Sequence, residues 1–266
     1  MNQYYFLFGL AFVYVIFAVV VDLRKREVPN WLNFSLIAFA FGYRAFYSAF
    51  FEDVMFFVYG LVGFGVFFGL AYAFYYGRVF AGGDAKLLMG MGIILTYSNF
   101  KDILYNGGQF ILALFLLGAT YSLVYSFFIA YQSKGKFSRE FGKKFKKEWK
   151  IFGVIVLISA VFLFFDINLG GLIFVFCLLS ALLYFYAKAV DRCMIRKIKA
   201  GELSEGDWLE RDIKVGRRLI KKSMHGLNWE EIKILRKANK DVLIKEGIPF
   251  TPAFLLALLY LGYSSF

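Results

Sequence analysis

Two carboxylates stand out in a chain rich in long apolar stretches. Asp22 ends the first long apolar run, in "VVVDLRKREVPN", and Asp84 opens a later one, in "FAGGDAKLL". Acidic side chains at membrane depth are expensive to bury and mark functional sites unless they are paired. Brought together, two carboxyls share one proton, so that one is an acid and the other a base at the same pH. The ionised one activates a water and the protonated one polarises a carbonyl. That is aspartic-protease chemistry, and it needs no metal, serine or cysteine. Gly82 and Gly83 precede Asp84; they let the backbone turn tightly and let a substrate strand approach closely. A helix starting there holds Asp84 in the positive field of its N-terminus. A plainer reading gives neither residue a reaction: Asp84 caps a helix and Asp22 pairs with Arg24 or Lys25. The residues alone leave both readings open.

The remaining candidates are few. Glu52, Asp53, Asp102 and Asp166 sit in short turns, and Asp191 stands beside Arg192 as a solvated charge. Cys177 lies in an apolar run, Cys193 is the second cysteine and His225 the one histidine. With no CxxC pair, a Cys/His zinc site is not expected, and neither a metal nor another cofactor is assigned.

The elements that must position Asp22 and Asp84 are apolar. Of 266 residues, 60% are hydrophobic and 21% aromatic, with a mean hydropathy of +0.62; soluble domains run at about 45–50% apolar. This predicts an all-α polytopic membrane protein. Eight apolar blocks are readable, at about 3–21, 31–50, 54–77, 85–98, 108–131, 151–165, 169–187 and 250–265. The first includes an uncharged run from Tyr4 to Val21, about 27 Å of helix and roughly one bilayer core. It lacks a basic start and a small-residue cleavage site and is read as a span, not a removable signal peptide. The fourth and eighth are short, so a six-span arrangement is also open. Connections alternate between basic and not basic. Residues 132–150 carry eight Lys/Arg and residues 188–249 carry sixteen. That alternation fits eight spans with the basic loops in the cytoplasm and both ends outside. It places Asp22 and Asp84 at the cytoplasmic face.

The resulting organisation is an N-terminal transmembrane bundle (1–131), a basic amphipathic loop (132–150), a transmembrane helix pair (151–187), a small cytoplasmic domain (188–249) and a final transmembrane helix (250–266). In the third block Gly65 and Gly69 form a small-xxx-small pair suited to close helix packing. In 132–150, Phe137, Phe141, Phe145 and Trp149 recur at steps of four, as on a helix lying on anionic lipid. The +12 net charge is read as membrane topology, and no nucleic-acid partner is expected. In 188–249, "GELSEGDWLERDIKVG" reads as turns around short extended pieces. "LNWEEIKILRKANKDVLIKEG" reads as a helix with Asn228 as cap, Glu231 completing a capping box, and Ile232, Leu235 and Leu243 on its apolar face.

An aspartate ending the first span, a basic loop with "VPN", and a glycine-aspartate-x-lysine motif opening a later span resemble the type IV prepilin peptidase and archaeal preflagellin peptidase family, membrane aspartic proteases of the GxGD type. The resemblance covers the first hundred residues, and "IPFTPAFLLAL" near the end is similar to the start of that family's last helix. It implies that Asp22 and Asp84 are the catalytic pair, Gly83 the glycine before the second aspartate, and Gly82, Lys86 and Pro29 residues that shape the site or meet the substrate. The motif departs from the pattern in reading "AGGD", with Ala81 for the first glycine. Lacking paired CxxC motifs, the chain resembles the archaeal branch, without methyltransfer. The implied substrates are pilin-like or archaellin-like precursors, cut at the cytoplasmic face between a short basic leader and the hydrophobic helix.

Three other readings remain. A proton-coupled carrier would use Asp22 and Asp84 as proton sites, although carriers hold such groups near the bilayer midplane on broken helices. A presenilin-like intramembrane protease would have both aspartates deeper and later in the chain. A membrane anchor for an assembly leaves the glycine-aspartate stretch without a role.

Overall fold

The computed structural model describes residues 2–95, 99–216, 218–223 and 226–265. His225 and the end of the fourth apolar block, 96–98, lie outside them. The chain forms α1 (Asn2–Lys25), α2 (Asn30–Phe51), α3 (Val54–Tyr76), α4 (Gly82–Ile94), α5 (Phe100–Gln132), α6 (Lys134–Val161), α7 (Ile167–Cys193), α8 (Trp229–Lys237) and α9 (Thr251–Ser265), with five short strands between α7 and α9. Among the described residues, α1, α2, α3, α5 and α7 are long and apolar enough to cross a membrane. The chain is a multi-pass membrane protein, helical in its main architecture. Two of the turn acids serve as helix starts. Asp53 caps α3 by accepting from the Phe56 N–H at 3.2 Å, and Asp166 caps α7 by accepting from the N–H groups of Asn168 and Leu169, each at 2.8 Å.

The structure divides into two compact units. The first comprises Met1–Val124 and Ile248–Phe266. Its centre is α4, whose Leu87, Leu88, Met91, Ile93 and Ile94 are all buried. At 13 residues, or about 20 Å, α4 is too short to span alone. It is wrapped by α1, α2 and α3. Glycine permits this approach. A Cβ on Gly92 would lie 2.5 Å from Phe67 and 2.6 Å from the Gly63 carbonyl oxygen, and one on Gly90 would lie 2.9 Å from Leu36. Gly65 and Gly69 have open space instead. The close α3–α4 contact therefore runs through Gly63 and Gly92, because α3 turns its Gly65 and Gly69 side away from α4. Arg44 of α2 is wholly buried. Its Nε donates to the Ile93 carbonyl at 2.8 Å and its Nη1 to the Phe56 carbonyl, with the guanidinium 4.4 Å from the Phe56 ring centroid. It thus ties the end of α4 to α2 and α3.

The second unit is Tyr125–Gly247. Here α6 joins the basic stretch and the sixth apolar block into one continuous helix, so 132–150 is not a separate loop. The aromatic stripe faces protein: Phe141 and Phe145 pack on Phe185, and Phe137 on Tyr186, both of α7, with centroids 5.4–6.4 Å apart. Trp149 alone of the four remains exposed. Aromatics at steps of four fit a neighbouring helix as well as a lipid surface, and α7 takes three of them. After α7, β1 (Ile195–Ile198), β5 (Val242–Lys245) and β2 (Trp208–Leu209) form an antiparallel sheet in that order, and β3 (Ile213–Val215) pairs with β4 (Arg218–Ile220). With α8 they enclose a core of Leu203, Leu209, Ile220, Leu227, Ile232, Leu235, Val242 and Ile244. The extended pieces and the Asn228–Glu231 capping box are present. The helix expected through Gly247, however, ends at Lys237. Asn239 takes a left-handed φ of 44°, and Val242 and Ile244 alternate inward as a strand.

Candidate active site

Three helix ends converge in the first unit: the C-terminal part of α1, the first turn of α4 and the first turn of α9. Asp22, Asp84 and Thr251 are all buried there, at 5%, 8% and 0% exposure. The Asp22 Oδ2 accepts from the Thr251 hydroxyl at 2.8 Å and from the Thr251 backbone N–H at 3.2 Å. That N–H begins α9, where the helix has no carbonyl for it, so the α1 carboxylate also neutralises the positive end of α9. Asp22 thus finds its partner 229 positions away, rather than in Arg24 or Lys25, neither of which is in an ion pair with it among the described residues.

Asp84 occupies the third position of α4; Ala81 is the N-cap and offers no side-chain cap. Its carboxyl takes a hydrogen bond from the Ala81 backbone and feels the charge of Asp22 across the gap between α1 and α4. It is therefore a buried carboxyl facing a second one. It is not the N-cap, although its carboxyl also reaches back to the N-cap backbone.

The supporting residues come from α2 and the segment before it. Pro29 is the N-cap of α2, with φ −67°, the angle its ring imposes. Just before it, buried Val28 packs on the start of α4. A Cβ on Gly83 would lie 3.1 Å from the Val28 Cβ and 3.3 Å from its backbone N and O. Gly83 is thus needed for close approach. Neither Gly82 nor Gly83 has a positive φ, and the left-handed residue in the connection is Arg78 at 61°. The tight turn expected at the two glycines is therefore made earlier. A Cβ on Gly82 would meet only Tyr75, at an ordinary 3.7 Å. Asn33 Nδ2 donates to the Gly83 carbonyl at 3.1 Å, fixing the first turn of α4 to α2. Lys86 Nζ donates to Asn30 Oδ1 and lies 5.6 Å from the Phe34 ring centroid, so its head is directed to the start of α2.

Sequence reasoning missed Thr251, Asn30 and Asn33. A threonine before Pro252 announces a helix start, but nothing local announces that the start faces Asp22. The asparagines carry no pattern beyond following "VP".

The arrangement is a pair of buried, interacting carboxyls, one braced by a hydroxyl and a helix N-terminus, the other at a helix N-terminus packed tightly on a proline-bearing segment. Residues 9–131 match the type IV leader peptidase family. The match runs from within α1 to nearly the end of α5 and contains both aspartates; Thr251 lies outside it. The chain is also 31% identical over 85 residues to a preflagellin peptidase of Methanocaldococcus jannaschii, a match covering 32% of this chain and 36% of that protein. The aligned part therefore spans about a third of the curated relative. No solved structure matches the chain. The family resemblance carried by "VVVD", "VPN" and "GGDAK" is thus supported by both matches, and the family match spans the segment where those residues lie.

Proposed function

We propose that this protein is a membrane aspartic endopeptidase that removes short basic leaders from pilin-like or archaellin-like precursors at the cytoplasmic face of the membrane, with Asp22 and Asp84 as its catalytic pair. The observation that carries the reading is the burial of these two interacting carboxyls, one from the end of α1 and one from the start of α4, inside a stretch matching a leader peptidase family. In the reaction the pair holds one proton. The ionised carboxylate takes a proton from a water, whose oxygen attacks the scissile carbonyl carbon. The protonated carboxyl donates to the carbonyl oxygen, giving a tetrahedral diol. Collapse breaks the C–N bond and a carboxyl proton passes to the leaving amine. Thr251 leaves Asp22 its Oδ1 for water, since Oδ2 is already occupied. Pro29, Gly83 and Lys86 shape the approach to the pair, and the alternation of basic and non-basic loops supports a site on the cytoplasmic side.

The test is co-expression of the full chain with a tagged pilin-like precursor, read as a mobility shift. Wild type should cleave, and Asp22→Asn and Asp84→Asn should each lose about a thousandfold or more in rate while reaching the membrane at normal level. Near-normal processing by either variant would remove the pair from the chemistry.

A further inference from the structure

The second unit carries a cleft that the peptidase reading leaves unused. It has a volume of about 650 Å³ and lies between the basic half of α6, the end of α7 and β1. Lys136, Lys144, Lys147, Lys188 and Arg192 line it, together with Tyr184. Several of these charges are already committed. Lys136 Nζ donates to the Ile195 carbonyl at 2.9 Å, Lys144 pairs with Glu148, and Arg192 pairs with Glu210 at 2.7 Å. The two acids in the lining are committed as well, Glu140 to Lys143 and Asp191 to Lys245. Lys147 and Lys188 differ. Both are exposed, and among the described residues neither has a carboxylate within ion-pair distance. Lys188 Nζ lies 5.8 Å from the Tyr184 ring centroid. The cleft therefore presents two cations to an anion, on a background already positive.

What lies next to the cleft identifies the anion. A turn at 162–166 joins α6 and α7, and the Phe137–Tyr186 and Phe145–Phe185 contacts set the basic ends of the two helices side by side. Further along α6, on the side that lines the cleft, Ile151, Val154 and Ile158 are exposed; on α7, Leu179, Leu182 and Leu183 are exposed on the other sides of the helix. A bare apolar band ending at a basic cleft has the layout of the acyl–headgroup boundary, where each lysine adds attraction for an anionic leaflet. We propose that this cleft binds the phosphate headgroup of an anionic phospholipid through Lys147 and Lys188, with an acyl chain along the exposed apolar band of α6. The aromatic stripe of α6 holds the helix pair together, and the lysines beside it hold the lipid.

The test is native mass spectrometry of the full chain in detergent, titrated with phosphatidylglycerol or phosphatidylcholine. Phosphatidylglycerol should be retained preferentially. Lys147→Gln alone should weaken retention about fivefold, and Lys147→Gln with Lys188→Gln about thirtyfold. Lys214→Gln with Lys233→Gln, exposed and outside the cleft, should leave it unchanged. Equal retention of the two lipids, or equal weakening by the control pair, overturns the proposal. Displacement of the lipid by millimolar inorganic phosphate would make a free phosphate the ligand, and displacement by an oligonucleotide a nucleic acid; either result defeats the lipid assignment.

Discussion

The two units handle polar groups in opposite ways. In the first, Asp22, Asn33, Arg44, Asp84 and Thr251 are all inside, each held by a contact from a different helix except where two carboxyls face each other. In the second, the charges lie at the surface in pairs such as Lys197–Asp241, with side chains 67% and 44% exposed, around a small apolar core. Buried polar groups lose far more when a partner is removed than exposed pairs do. The difference separates residues whose substitution should change chemistry or folding from residues whose substitution should be nearly silent.

That contrast can be broken at several points. The largest effect outside the aspartates is expected at Arg44. Arg44→Ala removes the buried donor that links the Ile93 and Phe56 carbonyls and opens a cavity beside Gly60, so thermal unfolding in detergent should show a loss of about 3 kcal/mol or more. A melt unchanged from wild type would show that α4 does not depend on this cap. Next comes Thr251→Val, which keeps the volume and the backbone N–H but removes the hydroxyl donor to Asp22. Precursor processing should slow by about tenfold to a hundredfold with the melt nearly intact, while Thr251→Ser should process near normally. Equal activity of the two would detach Thr251 from the site.

A smaller effect separates the two glycines. Gly83→Ala pushes a methyl against Val28 and should shift the start of α4, slowing processing several-fold through overpacking of about 1–3 kcal/mol. Gly82→Ala meets only an ordinary contact and should process normally. Equal effects at both positions would show that backbone freedom, and not the approach to Val28, is what the glycines supply. At the bottom of the scale, Lys197→Gln breaks an exposed pair and should change stability by less than about 1 kcal/mol. A larger loss would mean that surface charge holds the second unit together.

Much of this was legible in the chain. Long uncharged runs can only be helices where no water satisfies the backbone, so α1, α2, α3, α5 and α7 follow from composition. The capping box at Asn228 and Glu231 is a local pattern and appears where it was read. Errors arose where a local signal fitted two partners. The Phe137–Phe145 stripe suits lipid or a helix, and Gly65 with Gly69 is one of several small-residue pairs on α3. "KANKDVLIKEG" carries helix-forming lysines, but the left-handed Asn239 and the alternation of Val242 and Ile244 decide for a strand, because β1 and β2 stand ready to pair with it.

The sequence by itself determined the membrane class, the long apolar helices, and the two acids at helix ends with their family motif, because hydrophobicity, capping and turn chemistry act over a few residues. Only the tertiary structure decided that α4 is wrapped by its neighbours, that Gly83 seats against Val28, and that Asp22 meets Thr251 at the start of α9. Those contacts depend on how whole helices pack. No periodicity encodes which two of many helix ends will lie 2.8 Å apart when 229 positions separate them.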